Sequence, residues 1–377
     1  MNGSLRKRPQ HFISDINQEP NTMQSIQNDN VKVEDNWKPC LTVTEGGCIH
    51  DFCWHPLMNS NMGTCCNFLT TSAYQPVHMW DAFNGQLVSS FLVRNNTGGV
   101  DNIVSVSYNG KLSGGSKIYC GLDKRICVFD TERGSCSSFT EVYAVEKSMV
   151  KGSNSKTRSR SYGQTGLISC FAFNPQEESI YAAGCYNNTV GIYDQNQQEL
   201  QFLIECEYGT GVNQIQFSSN GTYLFQSSRK DERIVCWDLR NLFEPVKYFE
   251  FSRKVSTNQK VNFDMDTLTQ YAIAGTEDGK CCIFDLNQNG KPITTVDMET
   301  ENMINSISMH PFLPYFAVST GERKYHLDVC LDEDSSSDEE EPTPGKGVKR
   351  PTPFDVTKTN HVALWRIPDY EYRTLNQ

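Results

Sequence analysis

Four side chains that can bind a transition metal lie close together in the first third of the chain. The stretch CIHDFCWH contains Cys48, His50, Cys53 and His55 within eight residues. Zinc requires four nitrogen or sulfur ligands that converge tetrahedrally. In an extended strand, Cys48 and His50 point to one face while Cys53 and His55 point to the other. The spacing therefore favours strand and turn residues over a metal site, and no Cys-x-x-Cys pair occurs in the chain.

Motifs of known catalytic sites are absent from the sequence. It has no glycine-rich phosphate-binding loop, no Gly-x-Ser-x-Gly nucleophile elbow and no His-Glu-x-x-His metal site. Outside the stretch above, the seven histidines form no group. Nothing in the sequence requires a cofactor or a small-molecule substrate. We therefore interpret the chain as a binding protein and not as an enzyme.

Charge and cysteine content narrow the class of protein. The net charge of the 377 residues is -11, but eight negative charges lie between Asp328 and Glu341, which leaves about -3 for the remainder. This balance argues against a uniformly basic nucleic-acid binder without excluding RNA binding. The 15 cysteines are an odd number and many lie in apolar runs, and neither a signal peptide nor an apolar run of membrane-spanning length is present. We expect a reducing compartment, the nucleus or the cytosol, and no membrane partner.

An aromatic residue followed by aspartate recurs along the chain and shows how its elements are organised. The repeats end in VHMWDA, ICVFDT, VGIYDQ, IVCWDL, CCIFDL and VALWRI. Three of the intervals are near the roughly 40–45 residue period of a β-propeller blade, and the two longest contain polar insertions. The paired positions are Trp80 and Asp81, Phe129 and Asp130, Tyr193 and Asp194, Trp237 and Asp238, Phe284 and Asp285, and finally Trp365 before Arg366.

Turn residues and strand patterns support the same unit. Six residues before the aromatic, the middle repeats carry Asp123, Asn187, Asp231 and Asp278, residue types that suit tight turns. Alternating strands such as TYLFQSS lie upstream of the turns, so that each repeat resembles a four-stranded propeller blade. In the best-kept copy, Ser227, Asp231 and Trp237 resemble the hydrogen-bonded set that fixes a WD40 blade, with EYGTG at the place of the partner histidine. We expect Trp237 to pack between blades and Asp238 to cap its strand.

Polar segments lie outside the repeats. Residues 1–37 are polar and rich in Asn and Gln, which predicts a disordered tail before a propeller over 38–377. The first insertion, about 145–163, is interpreted as a solvated loop or as a flexible phosphate-binding arm. Its cations are Lys147, Lys151, Lys156, Arg158 and Arg160. The second insertion, about 327–357, is acidic and rich in proline, and Ser335, Ser336 and Ser337 resemble sites of acid-directed kinases.

Several longer stretches resemble one family of WD40 propellers. HDFCWHPLMNS, VHMWDAFNGQL, GLISCFAFNP, RKDERIVCWDLRN, VSTNQKVNFDMD and GTEDGKCCIFDLN are similar to the telomerase Cajal body protein family, from about Gly46 to Trp365. The resemblance implies a non-enzymatic protein that binds small Cajal-body RNAs through a short loop motif, the CAB box. It also implies telomerase RNA as a ligand, core proteins of these ribonucleoproteins as neighbours, and a role in Cajal-body localisation and telomere maintenance in the nucleus.

One departure from the family concerns the number of blades. Family members have a further repeat before the segment that matches GGCIHDFCW, which makes seven, whereas NVKVEDNWKPCLTVTE suffices for one or two strands. The sequence therefore predicts an all-β WD40 propeller with six recognisable repeats of an expected seven. Three alternatives follow: six blades close, the sequence is a truncated product, or the ring is incomplete, and an open ring would expose strand edges that favour aggregation.

Cationic residues of different repeats are predicted to share one face. Single-stranded RNA loops are recognised by stacking on aromatic or arginine planes and by hydrogen bonds to splayed bases. The turn between the second and third strands of the fourth repeat contains Arg229 and Lys230, and the connection to the next repeat contains Arg253 and Lys254. Arg323 and Lys324 stand at the equivalent turn of the last repeat. These six residues are the candidate RNA contacts.

Two other functions of a different class are compatible with the sequence. WDLR, residues 237–240, resembles the Trp-Asp-x-Arg pattern by which some WD40 proteins dock a cullin-type ubiquitin ligase. A general protein-interaction scaffold is the remaining alternative.

Overall fold

The computed structural model describes an all-β chain. The described residues are 40–366 with gaps at 96, 132–138, 144, 151–157, 198, 241–245, 299, 301, 314 and 322–360. They belong to the unit that begins at Cys40. Within these ranges there is no α-helix, and consequently none that is long and apolar enough to cross a membrane. Three short 3-10 helices span Gly63–Cys65, Lys111–Ser113 and Leu286–Gln288.

The strands form six consecutive antiparallel sheets, numbered here in chain order. Sheet 1 contains β1 Ile49–Trp54, β2 Asn67–Ser72, β3 Val77–Asp81 and β4 Leu87–Phe91. Sheet 2 contains β5 Ser105–Tyr108, β6 Lys117–Gly121, β7 Arg125–Asp130 and β8 Phe139–Tyr143. A separate hairpin of β9 Val145–Val150 and β10 Arg158–Gly163 precedes sheet 3, which contains β11 Ile168–Phe173, β12 Ile180–Cys185, β13 Thr189–Asp194 and β14 Glu199–Glu205.

Sheet 4 contains β15 Val212–Phe217, β16 Tyr223–Ser228, β17 Arg233–Asp238 and β18 Val246–Ser252. Sheet 5 contains β19 Phe263–Met265, β20 Tyr271–Gly275, β21 Lys280–Asp285 and β22 Lys291–Asp297. Sheet 6 has three described strands, β23 Ile304–Met309, β24 Tyr315–Thr320 and β25 His361–Arg366. The prediction of an all-β propeller with six repeats is confirmed.

The aromatic–aspartate pairs mark the end of each third strand. β3, β7, β13, β17 and β21 all end on the aspartate of the pair, and β25 ends on Arg366. The carboxylate then accepts backbone N–H bonds from the following turn; Asp81 Oδ1 accepts from Phe83 and Asp285 Oδ1 from Asn287. The repeated dipeptide thus ends the strand and orders the turn to the fourth strand.

Neighbouring sheets are joined by buried apolar side chains. Five hydrophobic clusters lie between sheets 1 and 2, 2 and 3, 3 and 4, 4 and 5, and 5 and 6. Trp237 packs against the cluster between sheets 3 and 4. Successive side chains of a strand point to opposite faces of the sheet. Because β-branched and aromatic residues occur on both faces, each sheet can bury both of them.

Polar side chains of the first strands bind the backbone of the next sheet. Asp51 accepts a bond from Val106 N, Ser105 Oγ donates to the carbonyl of Ile168, and Ser169 Oγ donates to the carbonyl of Val212. Gln214 binds both backbone groups of Phe263, and Asp264 accepts from Met309 N. These bonds satisfy buried backbone groups and fix how far each sheet lies from the next.

The hydrogen-bonded set expected around Trp237 occurs instead in sheet 1. Trp80 Nε1 donates to Thr70 Oγ1 at 2.8 Å, and the Glu45 carboxylate accepts from Ser72 Oγ and His78 Nδ1. In sheet 4, by contrast, Ser227 Oγ and Trp237 Nε1 have no hydrogen-bond partner among the described residues. Tyr208 takes the position there that Glu45 takes before sheet 1, and a phenol four residues before the strand cannot replace the carboxylate.

Two buried serines give a matched test of these bonds. We expect Ser169→Ala to lower the free energy of unfolding by about 1 kcal/mol, because it leaves the buried carbonyl of Val212 without its donor. Ser227→Ala should leave stability unchanged or raise it by about 0.5–1 kcal/mol, since it removes a buried hydroxyl that has no described partner. Urea unfolding of both variants measures the difference, and an equal loss in both would contradict the assignment.

Candidate nucleic-acid interface

One face of the propeller gathers two kinds of loop. In a four-stranded antiparallel sheet, the turn between the second and third strands lies at the same end as the connection that leaves the fourth strand. We call the surface formed by these loops the turn face. It includes 73–76, 122–124, 186–188, 229–232, 206–211 and 253–262. Side chains from distant parts of the sequence therefore meet there.

Non-glycine residues with left-handed backbone recur on the turn face. The turns between the second and third strands of sheets 1 to 4 contain Tyr74, Lys124, Asn188 and Lys230, with φ of 55°, 60°, 64° and 53°. Such residues are uncommon at positive φ, because the Cβ approaches the backbone. Each of the four turns thus projects a side chain from a tightly bent position.

The guanidinium of Arg229 is fixed over an aromatic ring of the neighbouring sheet. Its Cζ lies 3.7 Å from the centroid of the Tyr186 ring, and its Nε donates to Asn213 Oδ1 at 3.2 Å. Tyr186 is in the turn of sheet 3 and Arg229 in the turn of sheet 4. Burial raises the pKa of Tyr186, whereas the positive charges of Arg229 and Lys260 lower it in part. Tyr186 therefore remains a neutral ring at physiological pH.

A second arginine–tyrosine pair joins the connection between sheets 3 and 4 to the first residue of β17. Arg233 Cζ is 3.3 Å from the Tyr208 ring centroid, and its Nε donates to Asp231 at 2.8 Å. Asn188 holds this connection in place by donating to the carbonyls of Cys206 and Tyr208. Tyr208 is 42% exposed.

Lys260 adds a positive charge to the turn face that forms no ion pair with any described residue. It is exposed and acts electrostatically on Asp51 of sheet 1, Cys170 of sheet 3 and Tyr186. Lys260 belongs to the connection between sheets 4 and 5, and its charge lowers the pKa of groups in sheets 1 and 3, in part offsetting the effect of their burial. Within the described part of the chain, Arg229, Lys230 and Lys260 form no ion pair.

The predicted RNA contacts are placed differently from one another. Arg229, Lys230 and Lys254 lie on the turn face, and Lys254 Nζ is 3.3 Å from Asp278. Arg253 is buried, and its guanidinium donates to the carbonyls of Val261 and Asn262. Burial lowers the pKa of Arg253 to about 10. Its side chain therefore braces the connection and is not available to RNA, which corrects its predicted role.

Several other predicted positions lie outside the described residues. This applies to Arg323 and Lys324, to Ser335, Ser336 and Ser337, and to Lys151 and Lys156. Lys147 is in β9, whereas Arg158 and Arg160 are in β10. The insertion interpreted as a loop thus contains a two-stranded hairpin, which the sequence analysis missed because its alternation is polar.

The cysteine and histidine residues considered as metal ligands have other contacts. His50 Nε2 is 3.2 Å from Asn102 Oδ1, and His55 Nδ1 accepts from Leu57 N. Cys53 packs against the cluster between sheets 1 and 2. Across the described ranges, no group of three or more such side chains is placed to hold a metal ion.

Tyr186, Tyr208, Arg233 and Lys260 were not identified from the sequence. Tyr208 lies in EYGTG, where the substitution for the expected histidine is the available signal. Arg240 of the WDLR stretch lies on the opposite face, since it follows β17, and its guanidinium binds Asp238. That geometry leaves Arg240 exposed but already paired.

Comparisons with known proteins agree with this architecture. Residues 199–238 match the family model described as "WD domain, G-beta repeat". The chain is 31% identical to "Telomerase Cajal body protein 1" of Bos taurus over 76% of the chain and 50% of that protein. It is 26% identical to "Telomerase Cajal body protein 1 homolog" of Drosophila melanogaster over 86% of the chain and 54% of that protein. The chain spans about half the length of the curated relatives it matches.

A solved structure shares the fold. A chain in "Crystal Structure of Mitotic Checkpoint Complex" superposes with a TM-score of 0.53 at 15% sequence identity, over 72% of this chain and 73% of that one.

Proposed function

This chain belongs to the telomerase Cajal body protein family of WD40-repeat proteins, and on that premise we propose that it binds small Cajal-body RNAs through its turn face. It is a WD40 scaffold. The RNA, its CAB-box loop, telomerase RNA as a further ligand, and a role in Cajal-body localisation and telomere maintenance form the proposed part. Core proteins of the same ribonucleoproteins are the proposed neighbours.

The Arg229–Tyr186 pair is the observation that carries the proposal. A guanidinium held over an aromatic ring presents a cationic surface on which an unpaired base can stack. The side chain is already ordered by Asn213, so that little rotamer entropy is lost when RNA binds. Tyr208 and Arg233 repeat the arrangement on the adjacent connection, which provides a second stacking position.

Unpaired cations beside these rings supply the remaining affinity. Lys230 and Lys260 are exposed and have no described carboxylate partner. They can therefore bind backbone phosphates, which adds salt-dependent affinity that does not depend on sequence. Stacking and base contacts then distinguish a loop from a duplex, since bases in a duplex are not free to stack on protein.

A double variant tests the proposal. Arg229→Ala with Lys260→Ala is expected to weaken binding of a synthetic small Cajal-body RNA stem-loop about 10- to 100-fold, because it removes one stacking cation and one phosphate contact. The slope of log Kd against log salt should fall by roughly 1, while the thermal unfolding temperature changes little. Fluorescence anisotropy at several salt concentrations measures both quantities.

The matched control lies on the opposite face. Lys111→Ala with Arg240→Ala also removes two positive charges, here from loops at the other end of the strands. RNA affinity should stay within twofold of the unmodified chain. Equal losses in both double variants would reduce the effect to net charge and overturn the proposal. A cullin-adaptor complex that depends on Arg240, without bound RNA, would instead favour the ubiquitin-ligase alternative.

A further inference from the structure

A polar cavity lies between sheets 2 and 3, at the end of the strands opposite the turn face. Its walls are the β5–β6 loop on one side and the loops that follow β11 and β13 on the other, and its volume is about 490 Å³. This volume is within the roughly 300–1,000 Å³ of typical ligand sites. All of the lining residues are polar or charged, which favours a charged ligand over an apolar one.

The floor of the cavity carries an amide group that lacks a partner. Gln195 is only 7% exposed, and its Oε1 accepts a hydrogen bond from the Tyr119 hydroxyl at 3.2 Å. The Gln195 Nε2 group forms no hydrogen bond with any described residue, although the residue lines the cavity. Because a nearly buried N–H group without an acceptor is unfavourable, this position favours a ligand that brings an oxygen acceptor.

A lysine contributes a positive charge to the same cavity. Lys117 begins β6 and shares a face of sheet 2 with Tyr119, since residues two positions apart in a strand point the same way. Tyr119 belongs to the cluster between sheets 2 and 3, so Lys117 also faces sheet 3. Lys117 is half-buried and has no ion pair within the described ranges. Together, the ammonium group and the Gln195 amide suit a carboxylate.

Two carboxylates lie at the rim of the cavity. Glu177 and Glu178 are exposed residues of the β11–β12 loop, and neither has a cationic partner in the part of the chain that the structure describes. Asn174 fixes this loop, because its Oδ1 accepts from the N–H groups of Gln176 and Glu177. Gln176 Nε2 in turn donates to the carbonyl of Ser219. The rim is thus ordered before a ligand arrives, which lowers the entropic cost of binding.

We propose that this cavity binds the carboxylate end of a basic amino acid, either free or at the C-terminus of a protein chain. The carboxylate accepts from Gln195 Nε2 and pairs with Lys117, while the cationic groups pair with Glu177 and Glu178. The charges are complementary, since the lining offers one positive and two negative charges and free arginine carries the reverse. Arginine suits the rim best, because a guanidinium donates two parallel hydrogen bonds to a carboxylate. This site does not depend on RNA binding.

Calorimetric titration of the full chain tests the proposal. L-arginine is expected to bind saturably. L-argininamide lacks the carboxylate and L-citrulline lacks the side-chain charge, so each should bind at least about tenfold more weakly. Acetyl-Ala-Arg distinguishes the two sources: if it binds at least as tightly as arginine, the natural ligand is a protein C-terminus, and if it binds more weakly, the ligand is the free amino acid. Equal binding of arginine, argininamide and citrulline, or no saturable binding of either arginine or acetyl-Ala-Arg, would overturn the proposal.

Substitutions in the cavity assign the contacts. Glu177→Gln with Glu178→Gln should weaken arginine binding at least about tenfold. The matched control, Glu199→Gln with Glu205→Gln, removes two exposed carboxylates from β14 of the same sheet and should leave the affinity unchanged. Equal losses in the two double variants would reduce the effect to net charge and contradict the assignment.

Lys117→Ala tests the carboxylate contact by a readout that a merely structural role would not change. It should reduce the preference for arginine over argininamide about tenfold, because only arginine has the carboxylate that pairs with Lys117. An unchanged preference would show that the carboxylate does not reach Lys117 and would overturn the proposed orientation. RNA affinity is a separate measurement, since the cavity and the turn face lie at opposite ends of the strands.

Discussion

Replacing Gly121 by alanine is expected to lower the free energy of unfolding by about 3 kcal/mol. Gly121 ends β6, and a Cβ there would lie 2.5 Å from the carbonyl oxygen of Ile168 and 3.0 Å from the Ile168 Cβ. It would also collide with Ser105 Oγ, which donates to that same carbonyl. Because two of these atoms belong to the main chain or adjoin it, sheets 2 and 3 would have to move apart.

The size of this effect is measured against a glycine in open space. Gly63 has no atom within 4 Å of an added Cβ and no positive φ, so that Gly63→Ala should change stability by no more than about 0.5 kcal/mol. Gly184→Ala, whose Cβ would lie 2.7 Å from Val212 Cγ1, should resemble Gly121→Ala. Urea unfolding followed by tryptophan fluorescence gives the comparison. If Gly121→Ala and Gly63→Ala have the same urea midpoint of unfolding, that result contradicts the close contact between sheets 2 and 3.

Glu45→Ala is also expected to lower the free energy of unfolding by about 3 kcal/mol. The Glu45 carboxylate is almost fully buried and accepts bonds from Ser72, His78 and Trp80 as well as Thr70. Alanine would leave the buried hydroxyls of Ser72 and Thr70 and the His78 ring without this acceptor and would release the segment before β1, whereas Trp80 would keep its bond to Thr70. Glu199→Ala, at an exposed position of β14, is the matched control and should stay within about 0.5 kcal/mol of the unmodified chain.

The contribution of Glu45 should depend on pH with a defined sign. Burial alone would raise the pKa of Glu45, but hydrogen bonds from Thr70 and His78 outweigh it and lower the pKa below its ordinary value. A carboxylate whose pKa is lowered by folding stabilises the protein fully above its unfolded pKa of about 4.3. That stabilisation is lost as the pH falls through the lowered folded value. The stability difference between the chain and Glu45→Ala should therefore shrink in acid, and a difference that grows below pH 4 would contradict the network.

Much of the fold follows from local sequence signals. The aromatic–aspartate pairs and the Asx turns repeat at fixed distances within each sheet, so Trp237, Asp238 and Asp285 could be placed at strand ends from spacing alone. These signals are short-range, because a turn is fixed by residues two or three positions apart. The sequence also located Arg229 and Lys230 in the turn between β16 and β17.

Contacts between sheets could not be predicted from local sequence signals. Arg229 lies over Tyr186, 43 positions earlier, and Glu45 binds Trp80, 35 positions later, and neither pairing has a periodic signal. The sequence predicts Arg253 to be a surface cation like its neighbour Lys254. Its side chain is instead buried and donates hydrogen bonds to the carbonyls of Val261 and Asn262. Which cations are free for RNA is decided by such local backbone acceptors, which charge patterns do not reveal.

The left-handed turns at Tyr74, Lys124, Asn188 and Lys230 have a consequence for how this protein can change. Each non-glycine residue there costs about 1 kcal/mol in backbone strain, and glycine would remove that cost. Glycine at these positions would, however, also remove the four side chains from the turn face. Because the Asn188 side chain already holds the connection through Cys206 and Tyr208, the chemistry of the turn face can change through Tyr74, Lys124 and Lys230 while the strands stay in place.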